Sequence, residues 1–489
     1  MNLQELIDAL PGARIAGGRA DGDTPITAVA HRADLSGPGT LFCAVRGLTA
    51  DGHDFAGEAV ARGAAALLVE RELPGVAVPQ VVVPDVRLSM GLSAAGVQGH
   101  PSRAIDVVGV TGTNGKTTSA ILLAAVLGGA GRPCGLVGTI ETRVGGRVTP
   151  AAHTTPDAVE LQALFAAMRD AGDTACAMEV SSHALHQHRV AGVRFAAALF
   201  TNLTRDHLDY HADLEEYFQA KRTLFLAPPA GGPAPPGAAN LDDAHGRRIA
   251  GETGALGYAI DAPADVRPLA VSGLDSGIRA TVATPRGTLD IATVLRGRFN
   301  LANILGVIAV GELLDLPHDA VARGLADVPG VPGRFEAVDA GQDFPVIVDY
   351  AHTPDSLENV LAAARVLVAV GRLIVVVGCG GDRDRGKRPQ MGAIARTRAD
   401  VAVITSDNPR SEDPDAIIRE ILEGAEGGPA RVHVDADRRA AIAHALGLAG
   451  AGDVVVIAGK GHEQGQERNG TITPFDDRAV ARDILEGAT

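Results

Sequence analysis

The sequence predicts an α/β protein with three domains, and three observations lead to this prediction. The length of 489 residues exceeds what one hydrophobic core usually spans. From residue 105 onward, short apolar runs alternate with helix-like stretches, as in mostly parallel sheets covered by helices. The alternation stops at the Pro/Gly-rich segment 329–333 and then starts again. We therefore expect a small N-terminal α/β domain at 1–99, a central domain at 100–331 and a C-terminal domain at 332–489.

Each predicted domain has its own run of elements. In the first, strands at 41–45 and 65–69 flank a helix at 54–62, and a linker follows at 99–102. In the second, a strand at 105–110 leads through a glycine-containing turn into a helix at 117–127, followed by buried strands at 175–180, 196–200 and 291–295 and a surface loop at 227–237. The third is predicted to be doubly wound and Rossmann-like, with strands at 346–348, 373–377, 401–405 and 454–458 and helices at 357–370 and 391–398.

Composition and charge narrow the class of protein. Hydrophobic residues make up 46% of the chain, which is enough for packed cores and excludes a disordered protein. The formal net charge is -15, so the overall field repels a phosphate backbone and excludes nucleic acid as the main partner. We expect phosphorylated small molecules to be bound by local positive groups instead.

The sequence lacks the features of a secreted or membrane-spanning chain. Residues 1–7 carry an acid where a signal peptide carries basic residues. The most apolar region, Val360–Cys379, is interrupted by Arg365 and Arg372 and is typical of a helix followed by a buried strand. We expect a cytoplasmic monomer whose scattered cysteines are free, buried thiols: Cys43, Cys134, Cys176 and Cys379.

Residues 111–118, between the first strand and helix of the central domain, form a candidate phosphate-binding loop. Gly112 and Gly115 allow backbone N–H groups to approach an anion, and the helix start adds donors and partial positive charge. Lys116 can neutralise the β and γ phosphates, and the Thr117 hydroxyl can bind magnesium. The usual loop begins with a glycine where this chain has Val110, so an ordinary βα turn is the alternative.

The compact run Gly-Thr-Asn-Gly-Lys-Thr-Thr at 112–118 resembles the Mur ligase family, which includes the folylpolyglutamate synthases. These enzymes activate a carboxylate as an acyl phosphate and pass it to an amine. The resemblance implies an ATP-dependent, ADP-forming ligase of bacterial cell-wall synthesis with a central P-loop sheet. It also implies a set of ATP contacts: Gly112, Thr113, Asn114, Gly115, Lys116, Thr117, Thr118, Asn300, Asn303, Arg334, Asp349 and His352.

Polar residues after the buried strands of the central domain are candidate catalytic and metal-binding groups. Glu179 closes one strand beside the phosphate loop, where a carboxylate can hold magnesium; a solvated strand-end acid is the alternative. His207 lies in a turn that holds two His and two Asp, and in the family it binds a second magnesium. Lys221 matches the family's carbamylated lysine, although by its residue type alone it is a solvated helix lysine. The resemblance thus implies two Mg²⁺ sites and four catalytic residues, Lys116, Glu179, His207 and Lys221, with the metal held by Thr117, Glu179, His207 and Lys221.

The resemblance extends into the C-terminal domain, where it implies that ATP lies between two domains. Arg334 matches an arginine that reaches the phosphates, and residues 349–355 resemble a nucleotide-facing loop. Asn300 and Asn303 match positions near the adenine. If the third domain supplies Arg334 and His352, domain closure is required for chemistry.

One turn, Asp407–Arg410, matches the signature of those family members that add diaminopimelate. Arg410 and Arg383 can bind a carboxylate in bidentate fashion, and Asp407 and Glu463 can bind an ammonium group. Lysine lacks the distal carboxylate of diaminopimelate, so a lysine-adding relative would not need that arginine. The implied amine site is Arg383, Asp407, Asn408, Pro409, Arg410, Gly459 and Glu463.

For the UDP-linked muramoyl dipeptide, the family pattern points to residues of the first two domains. Ala30-His31-Arg32 stands where Asp-Ser-Arg is common, and His153 stands where asparagine is common, so this chain departs from the family pattern at these positions. The implied UDP-substrate contacts are Val29, His31, Leu48, Thr49, Ala50, Thr154, Thr155, Ser181, Gln187 and Arg189.

Several alternatives remain open from the sequence. Within the family, a lysine-adding ligase is one; a folylpolyglutamate synthase usually has Gly-Lys-Gly-Ser, which 115–118 lacks. A P-loop regulatory protein of the GTPase class needs an Asn-Lys-x-Asp run, and the sequence contains none. A catalytically inactive binding protein is disfavoured because Lys116, Glu179, His207 and Lys221 are all present.

Overall fold

The computed structural model describes residues 1–16, 22–47, 50–368 and 370–487. The N-terminal part folds into a five-stranded sheet of order β1-β5-β4-β3-β2, in which β1 pairs antiparallel with β5 and the other neighbours are parallel. Buried apolar clusters cover both faces of this sheet. The elements are α1 Leu3–Asp8, β1 Arg14–Ala16, β2 Ala28–Ala30, β3 Thr40–Cys43, α2 Ala56–Ala61, β4 Ala66–Val69, β5 Gln80–Val82 and α3 Val86–Val97.

The central part is an eight-stranded sheet of order β13-β12-β11-β6-β10-β7-β8-β9, parallel up to β7 and antiparallel through β8 and β9. Its inner strands are apolar on both faces because helices cover each side. The elements are β6 Asp106–Thr111, α4 Lys116–Gly129, β7 Cys134–Val137, β8 Glu141–Val144, β9 Arg147–Pro150, α5 Ala158–Asp170, β10 Ala175–Glu179, α6 Ser182–His186, β11 Phe195–Phe200, α7 Leu214–Arg222, β12 Gly237–Asn240, α8 Ala244–Thr253, β13 Leu256–Tyr258, β14 Arg267–Ser272, β15 Arg279–Thr284, β16 Gly287–Ala292, α9 Arg298–Leu313 and α10 His318–Ala326.

The C-terminal part is a six-stranded sheet of order β17-β18-β22-β19-β20-β21, parallel except at β17, with an added hairpin. Helix α11 begins with a capping box at Thr353 and proline at its first position. The elements are β17 Glu336–Val338, β18 Val346–Asp349, α11 Pro354–Leu367, β19 Leu373–Val377, α12 Lys387–Arg398, β20 Val401–Ile404, α13 Pro414–Gly424, β21 Arg431–Val434, α14 Arg438–Leu448, β22 Val454–Ala458, β23 Gly465–Arg468, β24 Thr471–Pro474 and α15 Asp477–Leu485.

The structure confirms the predicted fold class but corrects three local predictions. The buried strand expected at 291–295 is wrong: β16 ends at Ala292, belongs to the antiparallel sheet β14-β15-β16, and alternates exposed and buried residues. The loop expected at 227–237 ends one residue early, because Gly237 begins β12. The helix expected at 357–370 begins at Pro354 and ends at Leu367.

Two further predictions concern membrane-spanning helices and the state of the four cysteines. Within the described ranges, no helix is long and apolar enough to cross a membrane. The four cysteines are free thiols, and Cys43, Cys176 and Cys379 are buried while Cys134 is half-buried.

Candidate active site

The turn between β6 and α4 has the shape of an anion-binding loop. Gly112 and Gly115 have φ values of 150° and 84°, in the region that favours glycine. A Cβ at Gly112 would overlap Thr201 Oγ1, and one at Gly115 would overlap Asn303 Oδ1. No side chain caps the start of α4, so its first N–H groups are free to meet a phosphate.

Lys116 folds back over this loop. Its Nζ donates to the carbonyl oxygens of Gly112 at 3.0 Å and Thr113 at 2.8 Å. Burial lowers the pKa of the Lys116 amine, while the nearby Glu179 and Asp206 charges oppose that shift. Two backbone carbonyls are weak partners for a cation, so a phosphate at this loop would be a better one.

The Glu179 carboxylate, 1% exposed, lies at the end of β10 next to the phosphate loop. It accepts hydrogen bonds from Thr117 Oγ1 at 3.0 Å and from Thr139 N at 2.7 Å and Thr139 Oγ1 at 3.0 Å. Thr139 was not among the residues predicted from the sequence, although it follows β7, which pairs with β10 at the same sheet edge. The carboxylate oxygens of Glu179 and the hydroxyl oxygen of Thr117 therefore lie close together at a buried position beside the phosphate loop.

His207 follows β11 in a left-handed conformation, φ 55°, that is uncommon for residues other than glycine. Its Nε2 lies 3.4 Å from Asp206 Oδ2, and His352 Nε2 from the C-terminal part lies 3.9 Å from the same oxygen. Burial lowers the pKa of His207 to about 3 against the effect of the Asp206 charge, and burial lowers that of His352 to about 4. Both imidazoles are therefore neutral near pH 7, the form that binds metals.

Lys221 is 1% exposed, so the alternative of a solvated helix lysine is wrong. Its Nζ donates to the carbonyl oxygen of Gly112 at 2.8 Å and lies 4.5 Å from the centre of the Tyr217 ring. Burial, together with the Lys116 charge, holds the pKa of the Lys221 amine well below its usual range, and Asp206 opposes the shift. The residue is thus a buried amine in the wall of the cleft, in surroundings that disfavour its charged form.

Residues of the C-terminal part close the cleft over the phosphate loop. Arg334 Nη2 donates to Thr117 Oγ1 at 3.0 Å, and the guanidinium lies 4.5 Å above the Tyr350 ring. Arg334 Nε is buried and has no hydrogen-bond partner among the described residues. Asn114 Nδ2 donates to Asp355 Oδ2 at 2.8 Å, a second link between the two parts. The cleft has a volume of about 520 Å³.

The other predicted ATP contacts surround this cleft in different ways. Asn303 lines it beside Gly115, and Asn300 holds Asn303 through an Nδ2–Oδ1 hydrogen bond of 3.3 Å. The Asp349 carboxylate accepts the backbone N–H groups of Phe335 and Ala351, both at 2.7 Å. Asp349 therefore supports the loops that carry Arg334 and His352, and burial raises its pKa.

The predicted amine-site residues cluster where β20 and β22 end. Asn408 accepts from Lys460 Nζ at 2.9 Å and donates to Glu463 Oε2 at 2.8 Å. Lys460 Nζ also lies 3.1 Å from Glu463 Oε2, so part of the Glu463 charge is already paired. Gly459 adjoins Asp407: a Cβ there would lie 2.5 Å from Asp407 Oδ2.

Arg410 and Arg383 are held differently. Arg410 has a left-handed backbone, φ 53°; its Nη1 donates to the Gly381 carbonyl at 2.8 Å and its Nε lies 3.3 Å from Glu467. Arg383 lines the main cleft, whereas the cluster around Asp407 lies beyond its lining. A third link between the parts, Arg205 to Asp384 at 3.0 Å, holds the loop that carries Arg383.

Only some of the residues predicted to bind the UDP-linked substrate line the cleft. Thr154, Thr155, Ser181 and Arg189 line it, and Arg189 Nη1 donates to the Thr155 carbonyl at 3.0 Å. Gln187 Oε1 accepts from Arg189 Nη2 at 2.8 Å and so orients it. The N-terminal residues lie outside the cleft lining: Val29 is buried in β2, His31 is half-buried, and Ala50 is exposed. Leu48 and Thr49 fall outside the described residues.

The oxygen donors of Thr117 and Glu179 fit magnesium rather than a metal that is bound by side chains alone. Across the described parts of the chain, no group of three His, Cys, Asp or Glu side chains is arranged to hold a metal ion. The oxygen atoms of Thr117 and Glu179 are hard donors of the kind that Mg²⁺ prefers, with substrate phosphates completing its shell. His207 offers one nitrogen donor for a second ion, and the Asp206 carboxylate lies 3.4 Å from it.

Comparison with known proteins identifies the family of this chain. Three family profiles match the chain: "Mur ligase family, catalytic domain" at 25–96, "Mur ligase middle domain" at 110–311 and "Mur ligase, glutamate ligase domain" at 333–461. The chain belongs to the Mur ligase family, whose members are ATP-dependent, ADP-forming ligases that typically use Mg²⁺. The resemblance seen in residues 112–118 is thereby confirmed.

Individual relatives share one name, UDP-N-acetylmuramoyl-L-alanyl-D-glutamate--2,6-diaminopimelate ligase. The protein of Geobacillus thermodenitrificans is 47% identical over 99% of both chains, and that of Streptomyces coelicolor is 45% identical over 99% of this chain and 96% of its own. A solved structure with this name is 32% identical, covers 100% of this chain and 99% of its own, and gives a TM-score of 0.70. A Mycobacterium tuberculosis folylpolyglutamate synthase with ADP, 21% identical over 76% of this chain and 91% of its own, shares the fold with a TM-score of 0.63.

Proposed function

We propose that this chain joins 2,6-diaminopimelate to the D-glutamate of UDP-N-acetylmuramoyl-L-alanyl-D-glutamate, using ATP, in cytoplasmic synthesis of peptidoglycan precursors. The observation that carries the proposal is the convergence of two parts of the chain on Thr117. This hydroxyl donates to Glu179 at the end of β10 and accepts from Arg334 of the C-terminal part. Relatives that cover almost the whole chain bear the name of this activity.

The reaction proceeds in two chemical steps. A carboxylate oxygen of the D-glutamyl group, expected to be the γ-carboxylate, attacks the γ-phosphorus of ATP, and ADP leaves. The diaminopimelate amine then attacks the acyl carbon, the amide forms and phosphate departs. Lys116 and the N–H groups at the start of α4 hold the β and γ phosphates, and Arg334 offers its buried Nε to the transferred group.

Two magnesium ions fit the proposal. The first would be held by Thr117 and Glu179 and the second by His207 and a carbamylated Lys221. Bound magnesium screens the repulsion between the substrate carboxylate and the γ-phosphate. Lys221 suits carbamylation because an uncharged amine is the form that reacts with carbon dioxide, and this amine is buried beside the phosphate loop.

The amine site is proposed at the ends of β20 and β22. Arg383 and Arg410 bind the distal carboxylate of diaminopimelate, and Asp407 and Glu463 bind its distal ammonium, with Asn408, Pro409 and Gly459 shaping the site. A lysine-adding ligase is the alternative. The pairing of Glu463 with Lys460 reduces the charge available to a distal ammonium group, which counts against lysine because lysine has no distal carboxylate for Arg383 and Arg410.

The UDP-muramoyl substrate is proposed to bind with its dipeptide end at Thr154, Thr155, Ser181 and Arg189, oriented by Gln187. Its uridine end lies toward Val29, His31 and 48–50. We also propose domain boundaries at 99/100 and 331/332, because each sheet is formed by strands from one of these ranges. Both halves of the cleft come from one chain, which fits a monomer.

A phosphate-release assay with the UDP-muramoyl dipeptide and ATP tests the proposal. Diaminopimelate, lysine and glutamate are compared as the amine. We expect turnover to depend on diaminopimelate, and the Lys116→Ala variant to release no ADP while keeping its fold by circular dichroism. Equal rates with lysine would favour the alternative amine. No ATP cleavage with all three reactants present would refute the proposal.

A further inference from the structure

A buried ion pair lies beneath the proposed amine site. Arg438 begins α14 and Asp477 begins α15, and both side chains are 0% exposed. Arg438 Nε donates to Asp477 Oδ1 at 2.8 Å, and Nη2 donates to Oδ2 at 2.6 Å. Desolvation offsets much of the attraction within such a pair, so stability alone is a weak reason for its presence.

The same guanidinium fastens two loops of the C-terminal sheet. Nη1 donates to the Ser406 carbonyl at 3.1 Å, and Nη2 donates to the Ala458 carbonyl at 3.0 Å. Ser406 directly precedes the turn Asp407–Arg410, and Ala458 directly precedes Gly459. Strand β19 lies between β20 and β22, so the two loops start two strand spacings apart, about 10 Å. Arg438 holds the Ser406 and Ala458 carbonyls together where the loops leave the sheet.

The contact between the two loops leaves little room for adjustment. Gly459 has φ 117°, and a Cβ on it would lie 2.5 Å from Asp407 Oδ2 and 3.9 Å from Arg438 Nη2. Gln466 Nε2 also donates to the Asp407 carbonyl at 2.6 Å, which fixes the turn from its other side. A change in the bridge would therefore move the Asp407 carboxylate relative to Glu463.

We infer that Arg438, paired with Asp477, is a positioning residue that sets the distance between the turn Asp407–Arg410 and the turn Gly459–Glu463. These turns are the two halves of the proposed amine site, so the inference rests on the proposed function. Arg438 acts on amine binding through the Ser406 and Ala458 carbonyls and touches no substrate itself. Its effect is on selection and orientation of the amine, and the phosphate loop is unaffected.

The test compares Michaelis constants for two substrates in the same variant. Arg438→Lys keeps the charge but cannot reach Asp477 and both carbonyls together. We expect its KM for diaminopimelate to rise about tenfold or more, because a misplacement near 1 Å is costly, while its KM for ATP changes less than about twofold. The double variant Arg438→Met/Asp477→Leu, which removes both charges at similar volume, serves if the lysine variant does not fold. It should show the same rise in KM for diaminopimelate without a matching rise in KM for ATP.

Arg372→Lys is the matched control. Arg372 pairs with Asp453 at 2.6 Å and donates to the Leu448 carbonyl. These contacts lie where β19 and β22 begin, at the opposite edge of the sheet from the proposed amine site. The Arg372→Lys variant should change the melting temperature without changing the ratio of the two KM values. An Arg438 variant with an unchanged ratio, or loss of folding in both Arg438 variants, would overturn the positioning role. Wild-type protein without diaminopimelate-dependent turnover would instead refute the proposed function.

Discussion

Replacing Arg334 with lysine tests the link between the two parts of the cleft. The variant keeps a positive charge but loses the planar guanidinium that lies 4.5 Å above the Tyr350 ring. Stacking of this kind contributes about 0.5–2 kcal/mol. The guanidinium also donates to Thr117 at 3.0 Å, and its buried Nε has no partner among the described residues. A lost hydrogen bond to a charged phosphate adds about 1.5–3 kcal/mol.

Together these terms predict that Arg334→Lys loses about 2–5 kcal/mol of transition-state stabilisation, or roughly 30-fold to several-thousand-fold in kcat/KM for ATP. The assay is steady-state phosphate release with the other two substrates saturating. Arg365→Lys is the control, since Arg365 pairs with Asp400 at 2.6 Å on the outside of the same domain and should keep full activity. Wild-type kcat/KM in Arg334→Lys would refute the role given to this residue.

Three further perturbations address separate parts of the site. Lys221→Ala should abolish turnover and be partly rescued by acetate, which supplies the missing carboxylate; full activity without acetate would exclude a carbamate at this position. Arg410→Ala should raise KM for diaminopimelate by an amount equivalent to about 2–5 kcal/mol. The control is Arg468→Ala, which should leave that KM unaltered because Arg468 is exposed and pairs with Arg410 only through the backbone. An equal rise of KM in both variants would contradict the role given to Arg410. Asn114→Ala removes the 2.8 Å hydrogen bond to Asp355. It should raise KM for ATP by roughly 2-fold to 10-fold, the equivalent of about 0.5–1.5 kcal/mol. An unchanged KM for ATP would mean that this hydrogen bond does not hold the domains together.

The phosphate loop and its polar neighbours could be predicted because local signals define them. A glycine turn between an apolar strand and an Ala/Leu-rich helix needs no long-range information. Glu179 and the turn 201–211 follow strands that both pair with β6, so they share its edge. Parallel strands bring the residues after their carboxyl ends together, which is why these predictions agree with the geometry.

Other features depend on contacts that the sequence does not encode locally. Helix α7 carries charged residues at 215, 216 and 222, so Lys221 looked exposed, yet packing of the helix buries it beneath the loop. The Arg205–Asp384 and Arg438–Asp477 pairs join residues far apart in the chain. Strands β15 and β16 alternate between more and less exposed residues, whereas β14 is almost entirely exposed, so no continuous apolar run marks this sheet in the sequence.

The most direct test of the central claim follows an oxygen atom. The UDP-muramoyl dipeptide is prepared with ¹⁸O in the D-glutamyl γ-carboxylate and converted with ATP and diaminopimelate. Phosphorylation of that carboxylate within the cleft predicts that each released phosphate carries one ¹⁸O, at the rate of amide formation. Release of unlabelled phosphate alongside amide product would contradict carboxylate activation by this chain.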